Sequence, residues 1–234
     1  MSISNDQVLF VSGCGHSGTT LLSIILNSHP RIYTIKRETN WFNNYQADEP
    51  IICQEYLFEK NKEETKFYGK DIILEKTPNH VFSVELIDQC FPNCNHIFIL
   101  RNPLDTCASL FQRYKNIDQA INRWNYSNQC VLNHSTKKSC WVVRYENLIT
   151  NTQQELEILC NFLKLDYTNE MLNYHLAGVE FHTHEVNDKI KTKRNQQVSQ
   201  PIYNTIDDYQ QILSDQQIKY VLEKTQKIRQ VLGY

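Results

Sequence analysis

Short apolar runs alternate with longer stretches of helical spacing along most of the chain. "QVLFVS", Gln7 to Ser12, is β-rich and stops at Gly13, and "TTLLSIILNS" behind it is apolar all round. That order predicts a strand, a glycine loop and a helix packed on a sheet. "DIILEKTP" predicts a second strand ending at Pro78, and "NHVFSVELIDQCF" a helix with Asn79 as N-cap. "HIFILR" predicts a third strand closed by Asn102-Pro103, with helices over "LDTCASLFQRY" and "IDQAINRWNYSNQCVLNH". "CWVVRYE" predicts a fourth strand, and "TQQELEILCNFLKL" a helix with Leu156, Leu159, Cys160 and Leu163 on one face. Near the end, Ser214 caps a predicted helix carrying Ile218, Val221, Leu222, Ile228 and Leu232.

Strand–helix alternation at this spacing predicts an α/β fold, a mostly parallel sheet with helices on both faces, as one domain over residues 1–234. Two stretches break the rhythm. Residues 39–70 and 178–199 are polar and aromatic without clear periodicity, which predicts excursions of loops and short helices beside the sheet. Ligands of such sheets bind at the carboxyl ends of the strands, so residues there are the first candidates for chemistry.

Composition changes this picture in two places. A chain of 234 residues with 41% hydrophobic residues can bury one sizeable core, and a formal charge of −2 argues against nucleic-acid binding by bulk electrostatics. The start of the chain has no basic leader, and no apolar run is long enough to span a membrane, so a cytoplasmic location is expected. The 8 cysteines then read as reduced thiols. Cys90 and Cys94 in "CFPNC" lack a second ligand pair at metal spacing, and no metal is expected.

Two strand ends carry anion-binding chemistry. Gly13 to Leu22 read "GCGHSGTTLL" and have the length of a nucleotide P-loop, with backbone N–H groups and the hydroxyls of Ser17, Thr19 and Thr20 able to hold a phosphate. Thr19 stands where that signature has lysine, which weakens a kinase reading. Arg101 ends the third predicted strand and Ser109 lies eight residues on in the next helix, a pair able to share one phosphate.

"GCGHSGTTLLSIILNSHP", "EKTP", "LRNPLDTCASL", "RYENLITNTQQELEILCNFLKL", "QQVSQPIY" and a final "LGY" run in the order of the sulfotransferases that use 3′-phosphoadenosine 5′-phosphosulfate (PAPS). The chain resembles the bacterial and tyrosylprotein-type branch of that family. The resemblance implies a P-loop-type fold and transfer of a sulfuryl group to a hydroxyl acceptor, a saccharide, phenol or tyrosyl peptide, leaving 3′-phosphoadenosine 5′-phosphate (PAP). Carried over by position, Gly13, Gly15, His16, Ser17, Gly18, Thr19 and Thr20 hold the 5′ end of the cofactor, and Arg101 and Ser109 the 3′-phosphate. His16 replaces a customary Lys or Arg, so either it acts as the cation or Lys76 of "EKTP" takes that role. For the general base, the resemblance implies Glu38, which follows His29-Pro30 with about one residue of extra spacing. His80 is the second candidate, because histidine as a residue type is a ready base. Glu146 reads as structural. A nucleotide or metabolite kinase and a non-catalytic nucleotide-binding protein of the same fold are the competing readings.

Overall fold

The computed structural model describes residues 8–43, 69–178, 198–203 and 205–234. Five strands form one parallel sheet: β1 (Val8–Gly13), β2 (Ile32–Thr34), β3 (Ile72–Lys76), β4 (Asn95–Leu100) and β5 (Cys140–Arg144). Their order is β2-β3-β1-β4-β5, with β1 central. It pairs in parallel with β3 through Val8↔Ile73 to Val11↔Lys76 and with β4 through Leu9↔Asn95 to Gly13↔Ile99. Seven α-helices are described: α1 (Thr19–Asn27), α2 (Val84–Cys90), α3 (Pro103–Tyr114), α4 (Ile117–His134), α5 (Tyr145–Thr150), α6 (Thr152–Leu163) and α7 (Asp215–Leu232).

Central strands are apolar on both faces because side chains alternate and both faces are covered. Leu9 and Val11 of β1 join Ile97 and Ile99 of β4 in a core with α1, α5 and α6. Val8 and Phe10 point the other way, against Phe42, Ile87 and Phe91. Phe98 and Leu100 share that second side with Ala108, Trp124 and Val221 of α3, α4 and α7.

Local chemistry sets the helix starts. Asn102 Oδ1 accepts from Leu104 N at 2.8 Å ahead of Pro103, so α3 begins directly after β4. Ser214 and Gln217 form a capping box at α7, and Gly233, at φ 73°, ends that helix in the left-handed conformation. Between β3 and α2 the expected single helix divides. Pro78–Phe82 form a 3-10 turn with Thr77 as N-cap, and α2 begins after Ser83. Asn79 does not cap, because its Oδ1 is taken by Arg123 Nη2. The strand β2 and the helix α5 were not expected from the pattern. Of the two predicted excursions, residues 44–68 and 179–197 lie outside the described residues.

Candidate active site

A cavity of about 530 Å³ opens at the carboxyl ends of the strands. The loop between β1 and α1 forms one wall, contributing Gly15, His16, Gly18, Thr19 and Thr20. Gly18 sits at φ 96°, and a Cβ there would meet the Tyr145 ring at 2.5 Å, so glycine lets the loop pass under that ring. Helix α1 starts from Gly18 with no side-chain cap. First-turn N–H groups lack intrahelical acceptors, so this start offers donors and a positive dipole end to an anion. His16 adopts φ 71°, a left-handed conformation unfavourable for a side chain with a Cβ, and strain of this kind gathers at functional sites.

The second wall comes from β4, α3 and α5. Arg101 follows β4 and its guanidinium lies 4.3 Å from the Tyr145 ring centroid. Its Nη2 donates to Thr205 O at 2.8 Å, and Nη1 to His16 O at 3.4 Å. Arg101 Nε is buried with no hydrogen-bond partner. A buried, unpartnered guanidinium N–H is a costly arrangement that an anionic ligand would relieve. His16 Nδ1 lies 2.8 Å from Ser109 Oγ, so the loop and the α3 serine are already joined across the cavity. Asp105, one helical turn before Ser109, accepts from Asp207 N and Tyr209 N, both at 3.2 Å, and fastens the 207–211 segment over the site. Burial pushes the Asp105 carboxyl above its ordinary range, against the pull of Arg101 and those two N–H donors.

At the far end stands Glu38, whose carboxylate is 23% exposed and whose Oε1 accepts from Lys76 Nζ at 2.6 Å. Lys76 is fully buried as the last residue of β3 and lies behind Glu38, not on the cavity wall. Glu146 Oε1 accepts from Asn102 N at 2.7 Å, and its Oε2 accepts from Tyr234 OH at 2.9 Å. These bonds join the turn after β4 to the "LGY" segment.

The structure therefore brings together Gly15, His16, Gly18, Thr19, Thr20, Arg101, Ser109 and Glu38, with Lys76 one contact behind. Gly13 ends β1 inside the sheet, where a Cβ would stand 2.6 Å from Ile99 O, and Ser17 is folded under the loop at 1% exposure. His80 is not brought to the cavity. It is fully buried, with Nδ1 2.7 Å from Glu75 Oε2 and its ring against Phe10 and Phe42. Tyr145, Thr205, Asp105 and Arg123 line the cavity and were not singled out in the sequence. Tyr145 and Asp105 lie inside the quoted "RYENL" and "LRNPLDTCASL" and are within reach of a motif; Thr205 and Arg123 depend on tertiary contact. Within "QQVSQPIY", Ile202 and Tyr203 line the cavity, while Gln196 and Gln197 lie outside the described residues.

Among the described residues one cluster has ligand chemistry of its own, Asp88, Cys94 and His96, with atoms within 4.8 Å of one another. It lies at the opposite, amino end of β4, and Cys94 meets His96 there in place of the Cys90 pairing that the sequence raised. Lys137 Nζ already neutralises Asp88 at 2.7 Å.

Comparison with known proteins places this geometry. The model of the "Sulfotransferase family" matches residues 40–169. A putative protein-tyrosine sulfotransferase of Caenorhabditis briggsae is 24% identical over 223 residues, covering 80% of this chain and 79% of that protein. The protein-tyrosine sulfotransferase of Drosophila melanogaster is 20% identical over 204 residues, and the match spans 71% of this chain but only 40% of that longer protein. Among solved structures, the sulfotransferase domain of the curacin biosynthetic pathway superposes with a TM-score of 0.60 at 18% identity, covering 97% of each chain. A mouse sulfotransferase complexed with PAP superposes with a TM-score of 0.61 at 17% identity, covering 96% of this chain and 84% of the other. Since the family match takes in more than half of the sequence and sulfotransferases share its fold, this chain belongs to the sulfotransferase family and its reaction is sulfuryl transfer.

Proposed function

We propose that the protein transfers the sulfuryl group of PAPS to the hydroxyl of a tyrosyl side chain, with Glu38 as general base. One observation carries the reading: a single cavity holds an uncapped helix start and an arginine with a buried, unpartnered Nε at one end and a lysine-paired carboxylate at the other. PAPS, when bound, supplies a sulfuryl group on a phosphate leaving group and a 3′-phosphate for recognition. The residues fit it. Backbone N–H groups of Gly18 to Thr20 and the Thr19 and Thr20 hydroxyls would hold the 5′ phosphate, and Arg101 and Ser109 Oγ would hold the 3′-phosphate. His16 aligns Ser109 through its 2.8 Å contact, and Lys76 acts from behind Glu38 as the cation paired with that carboxylate.

In-line sulfuryl transfer depends on position and on charge stabilisation more than on covalent chemistry by the protein. The acceptor hydroxyl loses its proton to the Glu38 carboxylate. Lys76, buried in low dielectric behind that carboxylate, keeps it ionised and aimed before the proton moves. His80 has no access to an acceptor and serves the fold. The tyrosyl acceptor is supported by the names of the relatives, and Tyr203 and Tyr209 at the cavity offer stacking surface. No described helix is long and apolar enough to cross a membrane. We place the enzyme in the cytoplasm on the buried thiols of Cys14, Cys107 and Cys160, which suit a reducing compartment.

The test uses labelled PAPS and, separately, labelled ATP, with a tyrosine-containing peptide, 4-nitrophenol and N-acetylglucosamine as acceptors. Label from PAPS on the peptide tyrosine is expected, and Glu38→Gln should lower that rate about 10²–10⁴-fold while PAP binding stays nearly unchanged. Label on the saccharide alone would overturn the acceptor, and near-native turnover by Glu38→Gln would overturn the base.

A further inference from the structure

Residues Glu38 to Asn40 lie across the carboxyl end of β3, and three successive residues of that end hold them. Lys76 Nζ donates to Glu38 Oε1 at 2.6 Å. Glu75 Oε1 accepts from Thr39 Oγ1 at 2.8 Å and Thr39 N at 3.3 Å. Thr77 Oγ1 accepts from Thr39 N at 3.1 Å and Asn40 N at 3.3 Å. Strand alternation explains the grip. Thr77 is still extended, at φ −133° and ψ 115°, so Glu75 and Thr77 share one face while Lys76 points to the other. The carboxylate of Glu38 is thus drawn to one side of β3, and the backbone just after it is pinned on the other.

Glu75 is the hub of the pinned side, and it is fully buried. A carboxylate in that position is tolerated only with its oxygens well partnered. Thr77 Oγ1 donates to its Oε1 at 2.6 Å, and His80 Nδ1 stands 2.7 Å from its Oε2. The two atoms stand within ion-pair distance but do not meet in hydrogen-bond geometry. Burial pushes the Glu75 carboxyl up, but His80 and the hydroxyls of Thr77 and Thr39 outweigh it and hold the group below its usual range. Neither Glu75, Thr77 nor His80 lines the cavity. Their route to the chemistry runs through the segment that carries Glu38.

We propose that Glu75 is a positioning residue for sulfuryl transfer: its buried carboxylate, braced by His80, fixes Thr39 and so aims the Glu38 carboxylate into the cavity. The proposal rests on Glu38 as the base. It also gives a part to His80, the histidine that the sequence offers as a base and the fold uses as a brace.

The experiment is a double-mutant cycle with an independent structural readout. Glu75→Gln and Thr39→Val are each made alone and with Glu38→Gln, and assayed with labelled PAPS and the fastest of the three acceptors above. PAP binding is measured by calorimetry, and backbone amide exchange is followed over residues 36–40. Each single variant should lower kcat about 10- to 100-fold with the PAP Kd changed less than about twofold, and Thr39→Ser should keep near-native turnover. In the Glu38→Gln background, Glu75→Gln should cost less than about threefold, because its action passes through the missing carboxylate. Amide exchange at Thr39 and Asn40 should quicken about tenfold or more in Glu75→Gln. Equal losses in both backgrounds, or unchanged exchange, would overturn the proposal. Thr39→Val is isosteric and half-buried, so it decides the cycle if Glu75→Gln does not fold. Native turnover in Glu38→Gln would defeat the base reading instead, and the exchange rates alone would then decide whether Glu75 fixes this segment.

Discussion

Replacing Arg101 by alanine should separate the two ends of the cofactor. The side chain makes three kinds of contact: donation to Thr205 O at 2.8 Å, donation to His16 O at 3.4 Å and a stack on Tyr145 at 4.3 Å. All three are contacts within the protein. What the variant removes from binding is the charged donor to a 3′-phosphate, together with the buried Nε that has no protein partner. A hydrogen bond to a charged group is worth about 1.5–3 kcal/mol, so PAP should bind about 12- to 160-fold more weakly. Adenosine 5′-phosphate lacks the 3′-phosphate and should lose less than about 0.5 kcal/mol, the share due to loosening of Thr205 and His16. Titration calorimetry with both ligands on both proteins gives the comparison. Equal losses for the two ligands would refute the assignment of Arg101 to the 3′-phosphate and make it a support for the loop instead.

Lys76→Met keeps the buried stem and removes the ammonium beside Glu38; turnover should fall about 10²–10³-fold with little change in PAP affinity, and wild-type turnover should survive EDTA. Turnover lost with EDTA and restored by magnesium would revive the kinase-like reading. At the other end of the sheet, burial raises the Asp88 carboxyl, but hydrogen bonds from His96 and Lys137 prevail and hold it at about 2, below its unfolded value of 3.8. The depressed value means stability that is present above about pH 4 and lost as the pH falls toward about 2, so Asp88→Asn should cost about 1 kcal/mol near pH 6, allowing for partial exposure, and much less near pH 2.5. Urea unfolding at the two pH values reads the difference, and an equal cost at both would refute the linkage.

Sequence pattern reveals elements that are locally complete. Val8–Gly13, the glycine loop and α1 form one uninterrupted signal, and Ser214 with Gln217 marks the start of α7 through side chains only three residues apart. The strand β2 escapes because three residues, Ile32–Thr34, show no period and take their conformation from pairing with β3. Asn79 misleads because its amide is claimed from α4 by Arg123, a competitor that no local window contains. The same division holds in the site. Arg101 and Ser109 lie on one strand–helix unit and can be read together, and Glu38 comes from resemblance at an offset of about one residue. Thr205, 104 positions from Arg101, and the Glu75–His80 brace exist only once the chain is folded. His80 as a base was a reasonable reading of residue type, and burial is the property that residue type does not carry.

The central place of β1 also has a consequence for synthesis. Chain order brings β1 out long before β3 and β4, yet those are its two partners, beginning at Ile72 and Asn95. "VLFVSG" is an apolar strand with both edges bare until β3 ends at Lys76, and with one edge bare until β4 ends at Leu100, the kind of segment that pairs wrongly with other chains. Parallel pairing across such separations forms slowly. The nascent protein therefore carries its central apolar strand exposed while its partners are made, and its yield in cells should depend on what shelters that strand on the ribosome as well as on the stability of the finished fold.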